Sequence, residues 1–232
     1  MSAPTAPGDE RDLAPQYVLP LVVWLEKDQP PERTDALEAS ARAVLTFLTD
    51  PRTVEPDGPW HEAVLSWTDG RIRKVVRRAR GAEWRRAETL DGLTVRHGTA
   101  SVRVFPPVPL DGWPRDLARL QVSGTELDDP ADPPAPASSS PVLWLNPGLD
   151  MTAGKAMAQT GHAAQLALAA LPPAGRRSWA ADGFPLAVRT ATRARWNLVS
   201  AAGLPAVHDA GFTEIAPGSV TVIADHPGLR RR

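Results

Sequence analysis

Two short, densely apolar runs stand far apart in this chain: LPLVVWLE at residues 19–26 and PVLWLN at residues 141–146. Neither alternates, so each reads as a buried strand. An Ala-rich stretch of helical period follows each run, at about residues 34–48 and 152–171. Next comes a Trp-led turn ending in glycine (67–70 and 179–183), then a strand, IRKVVRRA (72–79) or PLAVRTA (185–191). A short helix carrying Trp84 or Trp196 ends at Gly92-Leu93 or Gly203-Leu204, where glycine can cap it. The last strand is β-branched and alternating, at 98–107 and 218–227. Trp24 and Trp144 hold matching places 120 residues apart. The order β-α-β-α-β thus occurs twice, which predicts a tandem duplication. Strands alternating with helices predict an α/β fold: a small mixed β-sheet flanked by helices on both faces, repeated as a tandem pair.

Residues 128–140, DDPADPPAPASSS, carry no apolar periodicity and read as a Pro-rich linker. The expected organisation is a first unit at 17–127, this linker, and a second unit at 141–227.

Composition narrows the function classes. Hydrophobic residues make up 42% and charged residues 23%, an ordinary globular balance. The net charge of −1 means that any contact with RNA must use a local basic patch. With no cysteine, thiolate catalysis and Cys-type metal sites are excluded. The five histidines show no HxxxH-type pairing, so no metal site is expected. No apolar run approaches the roughly 20 residues of a membrane span. The N-terminus, MSAPTAPGDERDLAPQ, lacks the apolar core of a signal peptide, so a cytoplasmic location is expected. Lys27, Lys74 and Lys155 are the only lysines among many arginines.

The second unit holds two dense clusters. In DMTAGKAMAQTGHAAQLAL (150–168), Thr152 can N-cap a helix and Gly154 permits close approach to its first turn. Lys155, Gln159 and His162 then fall at i, i+4 and i+7 on one face. That face suits an anion or phosphate, or equally a solvated helix surface. In GLPAVHDAGFTEIAPGSVTVIA (203–224), Asp209 and Thr213 sit on a loop after a short strand-like stretch. They suit catalysis, or equally an Asx-turn and its cap.

Together the clusters resemble the type 2 peptidyl-tRNA hydrolases. That family carries a GKxxAQxxHA helix after its first strand and GLPxxxxxDAGxTxIxPGxxTV before its last. The matching residues here are Gly154, Lys155, Ala158, Gln159, His162 and Ala163, then Gly203 through Val222. The resemblance implies a four-stranded mixed sheet with helices on both faces, no metal or organic cofactor, and peptidyl-tRNA as partner. The implied activity is hydrolysis of the ester joining a peptide to the 3′ ribose of tRNA. It implies Lys155, Asp209 and Thr213 as catalytic residues, and Gln159, His162 and Thr221 as substrate-binding residues. Asp209 would activate water, Lys155 would steady the oxyanion or the terminal phosphate, and the threonines would place water or the ribose hydroxyl.

This chain departs from the family pattern at three loop positions. His208 and Phe212 replace basic residues, and Glu214 replaces a glutamine. Those changes weaken the attraction to tRNA. They leave an alternative reading, a non-catalytic RNA- or protein-binding module that retains the fold.

At an offset of 120, Lys155 faces Asp35, Gln159 faces Ala39 and His162 faces Arg42, and the Asp209 loop has no counterpart. The first unit is therefore expected to be a degenerate, inactive repeat. It would form an intramolecular pseudo-dimer in place of, or in addition to, a homodimer. It also carries a basic run, Arg71, Arg73, Lys74, Arg77, Arg78, Arg80, Arg85 and Arg86. That run could supply tRNA backbone contacts, or could guard a solvated strand edge.

Overall fold

The computed structural model describes residues 15–70, 72–209 and 215–230. The elements run β1 (Tyr17–Trp24), α1 (Arg33–Thr49), α2 (Pro51–Val54), α3 (His61–Asp69), β2 (Lys74–Ala79), α4 (Gly81–Thr89), β3 (Leu93–His97) and β4 (Ala100–Val104). A short β5 (Val108–Pro109) and α5 (Arg115–Ala118) close the first half. The second half holds β6 (Val142–Leu145), α6 (Ala153–Ala170), α7 (Pro173–Ala181), β7 (Ala187–Thr190), α8 (Arg193–Ala201), β8 (Ala206–His208) and β9 (Val220–Asp225).

The two sheets share one topology. The first runs β2-β1-β4-β3 with β5 added on β1, and the second runs β7-β6-β9-β8. In each, the first strand pairs parallel with the second and antiparallel with the last. The expected α/β class with mixed sheets and flanking helices is what the chain forms. β1 is central, so its run VLPLVV is buried on both faces. Pro20 causes no loss there. It falls between the part of β1 paired with β4 and the part paired with β5, where no ladder bond needs its N–H.

Helix α1 lies on β3 and β4, α6 lies on β6, β8 and β9, and the two helices pack on each other. Each also touches the outermost strand of the other sheet: α6 meets β2 and α1 meets β7. Small residues permit the close approach. A Cβ added at Gly161 would lie 2.9 Å from Val44 Cγ2. The contact is reciprocal: Ser40 Oγ donates to Met157 O (3.0 Å), and Thr160 Oγ1 shares its proton between Met157 O of its own helix (3.0 Å) and Leu37 O (3.4 Å). Donors and acceptors alike are related by the 120-residue offset. One apolar core runs through both sheets and both helices. A smaller cluster of Val22, Ala79, Trp84, Ala87, Phe105, Leu117 and Leu120 covers the outer face of the first sheet.

Several local expectations change. Trp67 and Trp179 are not in turns; they lie in the last turns of helices α3 and α7. Each donates its indole N–H to a carbonyl six residues on, Arg73 (2.9 Å) and Pro185 (3.0 Å). This shared contact aligns Val76 with Val188, which pair with Leu21 and Leu143. The counterpart of Trp144 is thus Val22 rather than Trp24. The first strand is shifted by two positions because the connection to the helix is shorter in the second half.

The 128–140 segment has no regular element, yet it is laid down along the protein. Asp129 accepts from Thr34 N and Oγ1 (2.8 and 2.7 Å), Pro134 O from Arg189, and Ser138 O from Arg230. Among the described residues no helix is long and apolar enough to cross a membrane.

Candidate active site

The first turn of α6 opens the site. Thr152 caps the helix, its side chain accepting from Lys155 N (3.3 Å). The i, i+4, i+7 spacing then turns Lys155, Gln159 and His162 toward one cavity. Asp209 arrives from the second sheet. Strand β8 shifts register between Val207 and His208 and ends there. The Asp209 backbone is then held on both sides: its N–H donates to Ser219 O (2.9 Å), and its carbonyl accepts from Gly218 N (2.7 Å).

So fixed, the Asp209 carboxylate forms an ion pair with the Lys155 ammonium; the two side chains are 3% and 13% exposed. Gln159 Nε2 donates a long hydrogen bond (3.5 Å) to Asp209 Oδ2. Its other end is anchored, because Thr221 Oγ1 donates to Gln159 Oε1 at 2.7 Å. A carboxylate can only accept, so the amide nitrogen must face Asp209 and the amide oxygen Thr221. The result is a directed chain, Thr221 to Gln159 to Asp209, with Lys155 closing it.

The cavity is about 700 Å³, within the usual span of small-molecule sites. Both halves wall it. Lys155, Gln159, His162, His208 and Asp209 come from the second half; Arg73, Lys74 and the segment 121–124 come from the first. Gly154 is where that segment closes on α6. A Cβ there would sit 3.4 Å from Thr125 Cβ. His162 is inside the cavity but outside the hydrogen-bonded chain. Burial and then the nearby Lys74 charge push its imidazole well below its ordinary range, so it is neutral near pH 7.

The structure thus brings together Lys155, Gln159, Asp209 and Thr221, with His162 beside them. Thr221 is fully buried, so it acts on the cavity through Gln159. Thr213, with Phe212 and Glu214, lies outside the described residues. Sequence reading missed the wall contributed by the first half. Its one signal was Gly154, a glycine at a helix start that lets another segment approach.

The corresponding place in the first half has the opposite charge. Asp35, at the Lys155 position, accepts from Thr99 N (2.7 Å) and Thr99 Oγ1 (2.8 Å). It thereby closes the tight β3–β4 turn at Gly98, whose φ is +51°. Next to it the buried Glu38 carboxylate meets His97 Nε2 (2.8 Å), Val188 N (3.0 Å) and Arg189 Nη1 (2.8 Å).

No curated protein matches the chain at a significant level. Residues 140–232, which carry the Lys155–Asp209 pair and the Gln159–Thr221 bond, match the family model Peptidyl-tRNA hydrolase PTH2, and it is this family that the C-terminal part of the chain is similar to.

Proposed function

We propose that this protein hydrolyses the ester bond between peptide and tRNA in peptidyl-tRNA, releasing both. The observation that carries the reading is the buried Lys155–Asp209 pair opening on a cavity. It stands inside the segment that matches the hydrolase family. Ester hydrolysis needs a base for the attacking water and positive charge for the oxyanion. Asp209 takes a proton as the water oxygen bonds to the carbonyl carbon. Lys155 faces the charge that develops on the carbonyl oxygen. The bond to the ribose 3′ oxygen then breaks, and a proton passes to that oxygen. Gln159, set by Thr221, holds the carboxylate in place.

The test is release of labelled peptide from purified N-acyl-aminoacyl-tRNA. Wild type turns over. Asp209→Asn lowers kcat by roughly 10²- to 10⁴-fold, the range for a lost general base. Lys155→Ala lowers it by roughly 10²- to 10³-fold. Binding of tRNA by wild type without turnover would overturn the reading and leave a binding module on the hydrolase fold.

A further inference from the structure

We infer that the first half supplies a substrate-binding cation to this cavity: Lys74, the first residue of β2, binds a phosphodiester group of the tRNA acceptor end whose ester lies at Lys155 and Asp209. The inference rests on the hydrolase reading for the identity of the ligand. It rests on its own geometry for the site.

Lys74 lines the same cavity as Lys155 and Asp209 although it belongs to the other sheet. Its ammonium reaches α6, where it donates to Gln165 Oε1, and it stands 4.9 Å from the Trp67 ring centroid. Along α6, Gln165 is ten residues beyond Lys155, or about 15 Å at 1.5 Å per residue. An acceptor end that runs along α6 from an acyl ester at Lys155 brings a phosphate of its last nucleotide or two toward Lys74.

Charge points the same way. Among the described residues Lys74 has no carboxylate within ion-pair distance; its contacts are an amide oxygen and an indole face. A buried ammonium with only neutral partners is costly, and an anion offsets that cost. Burial alone pushes Lys74 well below its ordinary range. Among the described residues the charged groups lining the cavity are Arg73, Lys74, Lys155 and Asp209, three cations and one carboxylate.

Three other arginines of the basic run are used elsewhere. Arg77 lies 4.2 Å over Trp113 and donates to Leu120 O (2.5 Å). Arg78 donates to Ser123 O (3.0 Å), and Arg86 lies 3.7 Å from Asp116. These arginines hold α5 and the 121–124 segment in place. Those three arginines are therefore spent on the protein itself, whereas Arg73 and Lys74 reach the cavity, and Lys74 is the one whose ammonium crosses to α6. A lysine presents a compact charge suited to a single phosphate oxygen.

The experiment compares wild type, Lys74→Gln and Lys74→Arg on three readouts. For deacylated tRNA, Lys74→Gln weakens binding roughly tenfold to a hundredfold, as loss of one charged hydrogen bond does. The slope of log affinity against log salt falls by about 0.7, the contribution of one single-strand phosphate. Lys74→Arg keeps most of both. For N-acyl-aminoacyl-tRNA, KM rises with kcat little changed. For a 3′-O-(N-acyl-aminoacyl)adenosine, which has no phosphate, Lys74→Gln matches wild type. An unchanged salt slope, or equal losses on substrates with and without phosphate, overturns the inference. Failure of wild type to turn over overturns the hydrolase reading instead, and the binding slope still decides the role of Lys74.

Discussion

Thr221 has no exposed surface, yet its hydroxyl decides which way an amide in the site faces. Thr221→Val keeps the shape and removes the donor. Gln159 Oε1 then loses its anchor, and the amide is free to turn its oxygen toward Asp209, where two acceptors repel. The expected result is about a tenfold fall in kcat, worth roughly 1.4 kcal/mol, with KM unchanged. Steady-state kinetics on N-acyl-aminoacyl-tRNA check it; an unaltered kcat would show that Gln159 needs no such anchor. At this scale the sequence is legible where spacing converts into geometry. Lys155, Gln159 and His162 share a face because the helical period puts them there. It is less legible across gaps. Nothing in the string says that Asp209, fifty residues after Gln159, bonds to it. Lys74 reads as one more member of a basic run, because its neighbours across the cavity belong to another element.

The α1–α6 crossing depends on what is missing at Gly161. Substituting leucine forces four extra carbons against Val44 and the Lys74 stem, both within 3.6 Å of a Cβ at that position. Overpacking of this kind costs about 1–3 kcal/mol, somewhat reduced by leucine's better helix propensity. Urea denaturation should show the transition midpoint falling without a change in slope. An unmoved midpoint would mean that the helices can part without loss. The long helices and central strands were legible because their periodicity extends over many residues. The misread elements were short. Trp67 and Trp179 looked like turn residues because a glycine follows each closely. The helices run on because each indole N–H finds a carbonyl beyond the chain's bend, a contact that no linear pattern displays. Strand β3 was hidden because its pairing with β4 needs only the two-residue turn at Gly98 and Thr99.

Across the whole molecule, the two ends of the α1–α6 pair carry different chemistry. One carries the Lys155–Asp209 pair, and the other carries Glu38 bound to His97, Val188 and Arg189. Glu38 joins α1 of the first half to β7 of the second. Burial pushes its pKa up, but the bonds from His97, Val188 N–H and Arg189, with the Arg189 charge, outweigh burial and hold it below the ordinary carboxylate range. A carboxylate whose folded pKa is depressed stabilises fully above its unfolded pKa. That stability is lost as pH falls through the folded value. Glu38→Gln should therefore cost on the order of 3 kcal/mol near neutral pH. The deficit relative to wild type should shrink as pH falls below the ordinary carboxylate range and the carboxyl protonates. Urea midpoints of both proteins across this range test the claim, and a deficit that stays constant with pH would refute it. The shared strand order of the two sheets was legible because the strand–helix order recurs along the chain. The bonds made by Asp35 and Glu38 were not legible, since they have no signature in spacing.

The reciprocal bonds between Ser40 and Met157 and between Thr160 and Leu37 join two helices of one polypeptide. A pairing of this kind between separate chains would come apart on dilution. Here the segment 128–140 holds its members at a local concentration that does not depend on how much protein is present. The cavity therefore keeps both its walls at any dilution.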